Sequence, residues 1–169
     1  MLQAMAGFDP ASPESEPVGL DSTPFPLEGL VVGRVREIEA TEMADAVRAA
    51  YETFLERLAD LGATIVRTDW PGFDASRARR AGLMLSEADA ATAMADDLAH
   101  RPDRFSPDLR AMLAYGAEAK APRLVAAQAT IREVRRLVRQ SLATVDVLVL
   151  PTAPMPPFPF SDPAPPAQA

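Results

Sequence analysis

The sequence predicts an α/β fold, and three observations carry that prediction. A strand, an amphipathic helix and a second strand follow one another between residues 29 and 70. The apolar run Val147–Leu150 ends at Pro151, which predicts that Asp146–Leu150 is a third, buried strand with a hard stop. Residues 74–143 lie between these strands and have helical patterning. The predicted order β-α-β-α-α-α-β is typical of an α/β or a helix-rich α+β domain.

The first three elements predict a βαβ unit. Leu30–Val35 is the first strand, and a helix follows over about Glu42–Leu61, with Thr41 expected to cap its start and Gly62 its end. The second strand is Ala63–Val66, which should run parallel to the first through a right-handed crossover. The helix carries apolar residues at spacings of three and four, which places them on one face: Met43, Val47, Ala50, Tyr51, Phe54, Leu58 and Leu61.

Three helices are expected between the second and third strands. Ser76 to about Leu98 is rich in alanine and free of proline. Ser106-Pro107-Asp108 starts the next helix with a capping hydroxyl and a proline at the first helical position, and that helix should end near Gly116. Pro122 starts the last helix, whose stripe comprises Leu124, Gln128, Ile131, Val134, Val138 and Leu142.

Proline sets the expected boundaries. Five of the 17 prolines lie in residues 1–26 and eight lie in 151–169. We therefore predict a Pro-rich N-terminal loop over 1–28, one α/β domain over 29–150 and a Pro-rich C-terminal coil over 151–169. Within the domain the expected parts are a βαβ unit (29–70), a helical region (74–143) and a strand (146–150).

Composition excludes several classes of protein. A net charge of −7 argues against nucleic acid or an anionic membrane as partner. No cysteine is present, so disulfides and thiolate chemistry are excluded. The first ten residues have no basic region or long apolar run, and no stretch reaches 18 apolar residues, so neither a signal peptide nor a transmembrane helix is expected. A cytoplasmic protein is the expectation.

Four segments, taken in order, resemble the middle to C-terminal part of the amidase signature family of serine hydrolases. They are Leu2–Pro10 with its Met-Ala-Gly and Asp-Pro, Leu30–Gly33, Leu58–Val66, and Asp146–Pro154 with its Pro-Thr loop. The resemblance covers nearly all of residues 1–160. It implies a partial amidase-like fold, with the helical region forming a cap over the substrate entrance, and activity on amide C–N bonds.

The catalytic residues that the resemblance implies have no counterpart in this sequence. Family members use a Ser nucleophile, a second Ser in a cis peptide and a Lys base, all upstream of the Met-Ala-Gly segment. Here no Ser-Ser pair or adjacent glycines occur, and Lys120, the only lysine, has no Ser-rich segment nearby. No catalytic, cofactor-binding or metal residue is therefore assigned, and no cofactor is expected. The family also continues beyond the Pro-Thr loop into further strands, so the sequence is interpreted as a truncated or split segment.

The remaining polar candidates each have a simpler interpretation. Lys120 is expected in a solvated loop, and His100 near a helix end. Asp96, Asp97 and His100 have helical spacing for a metal, but three ligands without a fourth make a weak site. Arg132, Arg135, Arg136 and Arg139 form either a phosphate-binding face or the ordinary charged side of an amphipathic helix. Glu87 lies in a segment that matches a helix near the substrate funnel of family members. The simpler role of its side chain is to keep its own helix solvated.

The sequence leads to two hypotheses of different class. In the first, the chain is an amidase-family scaffold and cap that is not catalytic alone, and a polypeptide carrying the missing catalytic part, or self-association, covers its open sheet edges. In the second, it is a non-enzymatic protein-binding module that uses helices 76–142. Phosphate or nucleic-acid binding by the arginine helix ranks last.

Overall fold

The computed structural model describes residues 7–12, 15–17 and 26–159. Within them are three strands, six α-helices and one 3-10 turn, which spans Pro102–Arg104. The strands are β1 (Val31–Val35), β2 (Thr64–Thr68) and β3 (Val147–Leu148). The helices are α1 (Arg36–Glu39), α2 (Asp45–Asp60), α3 (Ala75–Ala93), α4 (Ala95–His100), α5 (Pro107–Ala117) and α6 (Ala121–Ser141).

The strands form a parallel sheet in the order β2-β1-β3. β1 lies in the centre, and its valines have the β-branched side chains that favour a pleated strand. Val32 pairs with Ile65 of β2 and with Val147 of β3. Asp146 fixes the register of β3, because its backbone N–H donates to the Val31 carbonyl at 2.9 Å and its carboxylate accepts from the Val31 N–H at 2.8 Å.

α2 covers one face of the sheet. Val32 is fully buried there against Tyr51 and Leu55 of α2 and against Ala63. Gly62 ends the connection from α2 to β2 with φ of 95°, a conformation that suits glycine.

α6 covers the other face. Val35 packs against Trp70 and Leu137, and Phe73 meets Trp70 edge to face with ring centroids 5.1 Å apart. The Trp70 indole N–H donates to the buried Ser141 hydroxyl at 2.9 Å. This bond ties the end of β2 to the end of α6.

The helical layer is built on α3, which packs against both α5 and α6. Gly116 of α5 lies directly on the backbone of α3: a Cβ at this position would stand 2.2 Å from the Glu87 carbonyl oxygen. The absence of a side chain therefore sets the close approach of these two helices. Among the described residues, no helix is long and apolar enough to cross a membrane.

The α/β class, the βαβ unit and the third strand are confirmed, with changes in detail. The first long helix, α2, starts at Asp45. Its N-cap residue is Ala44, whose side chain makes no capping hydrogen bond. The prediction that Thr41 caps it is wrong, since the Thr41 hydroxyl donates to the Glu37 carbonyl at 3.2 Å. The short helix α1 was not predicted.

The remaining differences concern the helical region and the third strand. The helix expected over Ser76–Leu98 is divided at Met94 into α3 and α4, and Asp74 caps α3 by accepting from the Arg77 N–H. Ser106 caps α5 as predicted. β3 has two residues instead of five and lies at the sheet edge, so Val147 stays 37% exposed.

Candidate functional site

A cluster of charged side chains stands at the carboxyl end of β1. Arg34 interacts through its Nε with the Glu39 carboxylate of α1. It also donates two hydrogen bonds to the carboxylate of Glu52 in α2, from Nη2 to Oε1 at 2.6 Å and from Nη1 to Oε2 at 3.1 Å. Its guanidinium carbon lies 5.7 Å from the centre of the Tyr51 ring. The carboxyl edge of parallel strands is where ligands bind in open α/β sheets, and this cluster lies at that edge.

The Tyr51 hydroxyl connects this cluster to the segment after β3. It donates to the Val149 carbonyl at 3.0 Å and lies 3.4 Å from a Glu39 carboxylate oxygen. Burial raises the pKa of Tyr51 to about 12, and the negative charge of Glu39 adds to the shift. The phenol is therefore a neutral hydrogen-bond donor at physiological pH.

Arg34 is locked in its charged form. Hydrogen bonds to Glu39 and then to Glu52 raise its pKa above the ordinary arginine value. Glu39 is only 13% exposed in its side chain, and Arg67 approaches its second oxygen at 3.8 Å. The charges are paired within the cluster, so the arrangement holds β1, α1 and α2 together and offers no activated nucleophile.

This cluster was not predicted from the sequence. A signal was present, because Arg34 interrupts a strand of valines and Glu37, Glu39 and Glu52 follow it. A partly buried arginine in a strand requires acidic partners. Which glutamates serve as partners depends on how α1 and α2 pack beside the strand.

An apolar groove lies beside this cluster, and we call it the Phe54 groove. Its wall on α2 consists of Val47, Ala50 and Phe54, and the opposite wall consists of Leu150, Met155 and Phe158. It has a volume of about 780 Å³. None of its lining residues carries a charge. The segment that forms the second wall is anchored by the Tyr51 bond to Val149 and by a bond from the Ala44 N–H to the Pro154 carbonyl at 2.8 Å.

The predicted polar candidates lie apart from the cluster and from the groove. Lys120 is exposed at the start of α6. His100 is exposed at the end of α4, where its Nδ1 lies 2.7 Å from the Asp96 carbonyl oxygen. Asp97 faces Arg101 at 3.9 Å. In the part of the chain that the structure describes, no group of three or more acidic or histidine side chains could hold a metal ion.

The arginines of α6 lie on its exposed side. Arg132, Arg135, Arg136 and Arg139 are all exposed, and Arg136 binds Glu133 through two hydrogen bonds and also contacts Gln140 at 2.6 Å. The ion pair raises the pKa of Arg136 and lowers that of Glu133. Such a face has the features of an ordinary solvated helix side.

Glu87 is half-buried in α3, where its backbone carbonyl contacts Gly116. Glu87 is therefore part of the close contact between α3 and α5. The assignment of no catalytic residue to this chain stays a prediction.

Comparison with known proteins identifies the family. A family model described as Amidase matches residues 1–168. The chain belongs to the amidase family. An amidase from Pseudomonas putida is 32% identical over 163 residues, which cover 92% of this chain and 34% of that protein.

Solved structures agree with this family. A crystal structure of an amidase superposes with a TM-score of 0.67 at 25% identity, over 86% of this chain and 32% of the other. A structure described as an unexpected vestigial protein complex, which reveals the origins of an s-triazine catabolic enzyme, gives a TM-score of 0.69 at 25% identity over 89% of this chain and 33% of the other. The chain thus spans about a third of the length of these relatives.

Proposed function

We propose that these 169 residues form the scaffold and the substrate-entrance cap of an amidase that hydrolyses amide C–N bonds. The observation that carries the proposal is the match to the amidase family over residues 1–168. The sheet with α2 supplies the scaffold, and the helical region 74–143, which contains α3 to α6, supplies the cap. The family match favours this proposal over the protein-binding module built on helices 76–142.

In this proposal the catalytic groups come from outside the 169 residues. The resemblance implies a Ser nucleophile, a second Ser in a cis peptide and a Lys base. Lys120 does not meet the requirements of such a base, since it is exposed at the start of α6 and far along the chain from any Ser-rich segment. The described part of the chain would then contribute to catalysis indirectly, because its sheet and helices would hold the catalytic part in position.

The proposal also includes a partner and a location. The missing catalytic part is supplied by polypeptide outside these residues, with a separate chain as one source and self-association as the alternative cover for the open sheet edges. The structural relative described as a vestigial protein complex supports association between chains in this family. We further propose a cytoplasmic location, as expected from the sequence.

Two measurements test this function. The purified 169-residue chain is incubated with aliphatic and aryl amides and with a serine-directed fluorophosphonate. We expect neither turnover nor covalent labelling, because acyl transfer needs a nucleophile with a base in hydrogen-bond reach. Labelling of the pure chain at any serine would contradict the proposal.

The second measurement asks for the positive role. The matched third of the Pseudomonas putida amidase is replaced by this chain, and the joined protein is assayed for amide hydrolysis beside the unaltered amidase. Activity in the joined protein is the expected result. A joined protein that folds and labels with the phosphonate, but does not turn over amides, would argue against the scaffold and cap role.

A further inference from the structure

The Phe54 groove presents large apolar side chains from both of its walls. Phe54, Leu150, Met155 and Phe158 all line it, and each is between 40% and 49% exposed within the described part of the chain. Apolar surface gathered in one groove marks a binding site more often than single exposed side chains do. The groove therefore calls for an apolar occupant.

The described part of the chain ends at the groove itself. Pro159 is the last described residue and directly follows Phe158 of the groove wall. Residues 160–169 continue from there with the sequence Phe-Ser-Asp-Pro-Ala-Pro-Pro-Ala-Gln-Ala. Ser161, Asp162 and Pro163 are typical turn residues, and an Asp-Pro pair favours the start of a turn. A reversal at these residues brings the following ones back to the groove.

We propose that residues 163–169 fill the Phe54 groove of their own chain in the polyproline II conformation. Seven residues in this conformation span about 22 Å, at about 3.1 Å each. The wall formed by Val47, Ala50 and Phe54 extends about 10 Å along α2, at about 1.5 Å per residue. The segment is thus long enough to cover this wall. The inference goes beyond the proposed function, because it assigns an intramolecular ligand to a surface that holds no catalytic group.

The composition of the segment suits an uncharged groove lined by aromatic and proline side chains. Residues 163–169 carry no charged side chain, and neither do the lining residues. Pro163, Pro165 and Pro166 have no backbone N–H, so fewer donors are buried without a partner against an apolar wall. Their fixed φ also lowers the entropy lost on binding, which is the reason that aromatic-lined grooves recognise proline-rich segments.

The other proline-rich segment of this chain is a poorer occupant. Residues 10–26 carry Glu14, Glu16 and Asp21, whose charges would have to leave water in an uncharged groove. That segment also joins the domain at the amino end of β1, where the Gly29 N–H donates to the Gly62 carbonyl at 3.0 Å. The groove wall at 149–158 instead follows the carboxyl end of β3.

A second copy of the chain is disfavoured by concentration. A segment on a short tether has an effective concentration of about 1 mM at its own groove. In a protein solution of about 1 μM, the same segment of a neighbouring molecule is roughly a thousandfold more dilute. The attached segment therefore binds first, even where its intrinsic affinity is weak.

The first experiment measures cysteine reactivity, because the chain has no cysteine of its own. Ala50→Cys and Thr152→Cys place a thiol on each wall of the groove, and Val125→Cys, at an exposed position of α6, is the matched control. Each is labelled with a maleimide in the full chain and in a chain that stops after Phe160. Mass spectrometry gives the rates, and circular dichroism with Trp70 fluorescence checks that the shortened chain keeps its fold.

We expect labelling at positions 50 and 152 to be at least about threefold faster in the shortened chain, with a change of less than about 1.5-fold at 125. Replacing Pro163, Pro165 and Pro166 by glycine in the full chain keeps the length and should also speed labelling at 50 and 152. Rates at 50 and 152 that are the same with and without residues 161–169 would overturn the inference.

The second experiment needs no truncation, so it decides the matter even if the shortened chain does not fold. Ala167→Cys is combined with Ala50→Cys in one chain and with Val125→Cys in another, and both are treated with a short bismaleimide at about 1 μM protein. We expect intramolecular cross-linking to be at least about tenfold more efficient for the pair 50–167 than for 125–167. Equal efficiency would contradict the proposal, and so would cross-links that join two chains, because they would identify a second copy as the source of the segment. Neither experiment measures amide hydrolysis or phosphonate labelling, so its failure is distinct from failure of the proposed function.

Discussion

The substitution Gly116→Ala tests the close crossing of α5 on α3. A Cβ at position 116 would stand 2.2 Å from the Glu87 carbonyl oxygen, 2.4 Å from its carbonyl carbon and 2.9 Å from the Ala88 nitrogen. All three atoms belong to the backbone of α3, so no side-chain rotation relieves the contact. The two helices must separate by about 1 Å, which opens a tightly packed layer.

The magnitude follows from two opposing effects. Overpacking of this kind costs typically about 1–3 kcal/mol, and a contact with helix backbone belongs at the upper end of that range. Alanine recovers up to about 1 kcal/mol relative to glycine in a helix, and less near a helix end such as this one. We therefore expect the free energy of unfolding to fall by roughly 2 kcal/mol, or Tm by roughly 4–8 °C.

Urea denaturation measures this change through the fluorescence of Trp70, the only tryptophan, which is 2% exposed. Gly82→Ala in α3 is the matched control, because its Cβ would meet only Ile131, at 4.0 Å. That variant should be stabilised by up to about 1 kcal/mol. If Gly116→Ala were as stable as the unaltered chain, or gained stability as Gly82→Ala should, the close crossing would be refuted.

Two further substitutions address the buried hydroxyl groups. Below pH 10 both folded and unfolded Tyr51 are protonated, and between pH 10 and 12 only the unfolded form ionises, so stability is lost as the pH rises. The difference in free energy of unfolding between the unaltered chain and Tyr51→Phe, measured in urea titrations, should shrink by about 1–2 kcal/mol across this range, given partial solvent screening. A difference that does not change with pH would contradict the raised pKa of Tyr51. Ser141→Ala leaves the Trp70 indole N–H buried without its acceptor and should cost about 1–3 kcal/mol in the same assay. Ser86→Ala, at an exposed position of α3, is its control, and equal effects of the two would remove the role assigned to the indole bond.

Local signals predicted several elements well. Ser106-Pro107 started α5 as expected, because the cap and the fixed φ of proline act within one turn. Gly62 ended α2 as expected, because its positive φ suits glycine. Gly116 was expected only to mark the end of its helix, whereas its main role is in the contact with α3, which no local pattern reveals.

Features that depend on contacts between distant residues were harder to predict. Leu55 was not included in the predicted stripe of α2, although it is one of its two buried residues, since the direction of the sheet decides which apolar stripe is buried. The length of β3 was overestimated because the Val149 carbonyl accepts from Tyr51, 98 residues away. The Arg34 cluster depends likewise on Glu52 and on the unpredicted α1.

The pairing of Asp146 with Val31 has a consequence for how the chain folds while it is being synthesised. Its two bonds join residues 115 positions apart, whereas β1 meets β2 across a separation of about 33. Closing the longer loop costs about 1 kcal/mol more by chain entropy, so the β1–β2 pair forms first. At translation rates of about 5–20 residues per second, β3 leaves the ribosome roughly 4–16 s after β2. During that interval the edge of β1 that later pairs with β3 is unpaired, and an unpaired strand edge is open to pairing with another chain.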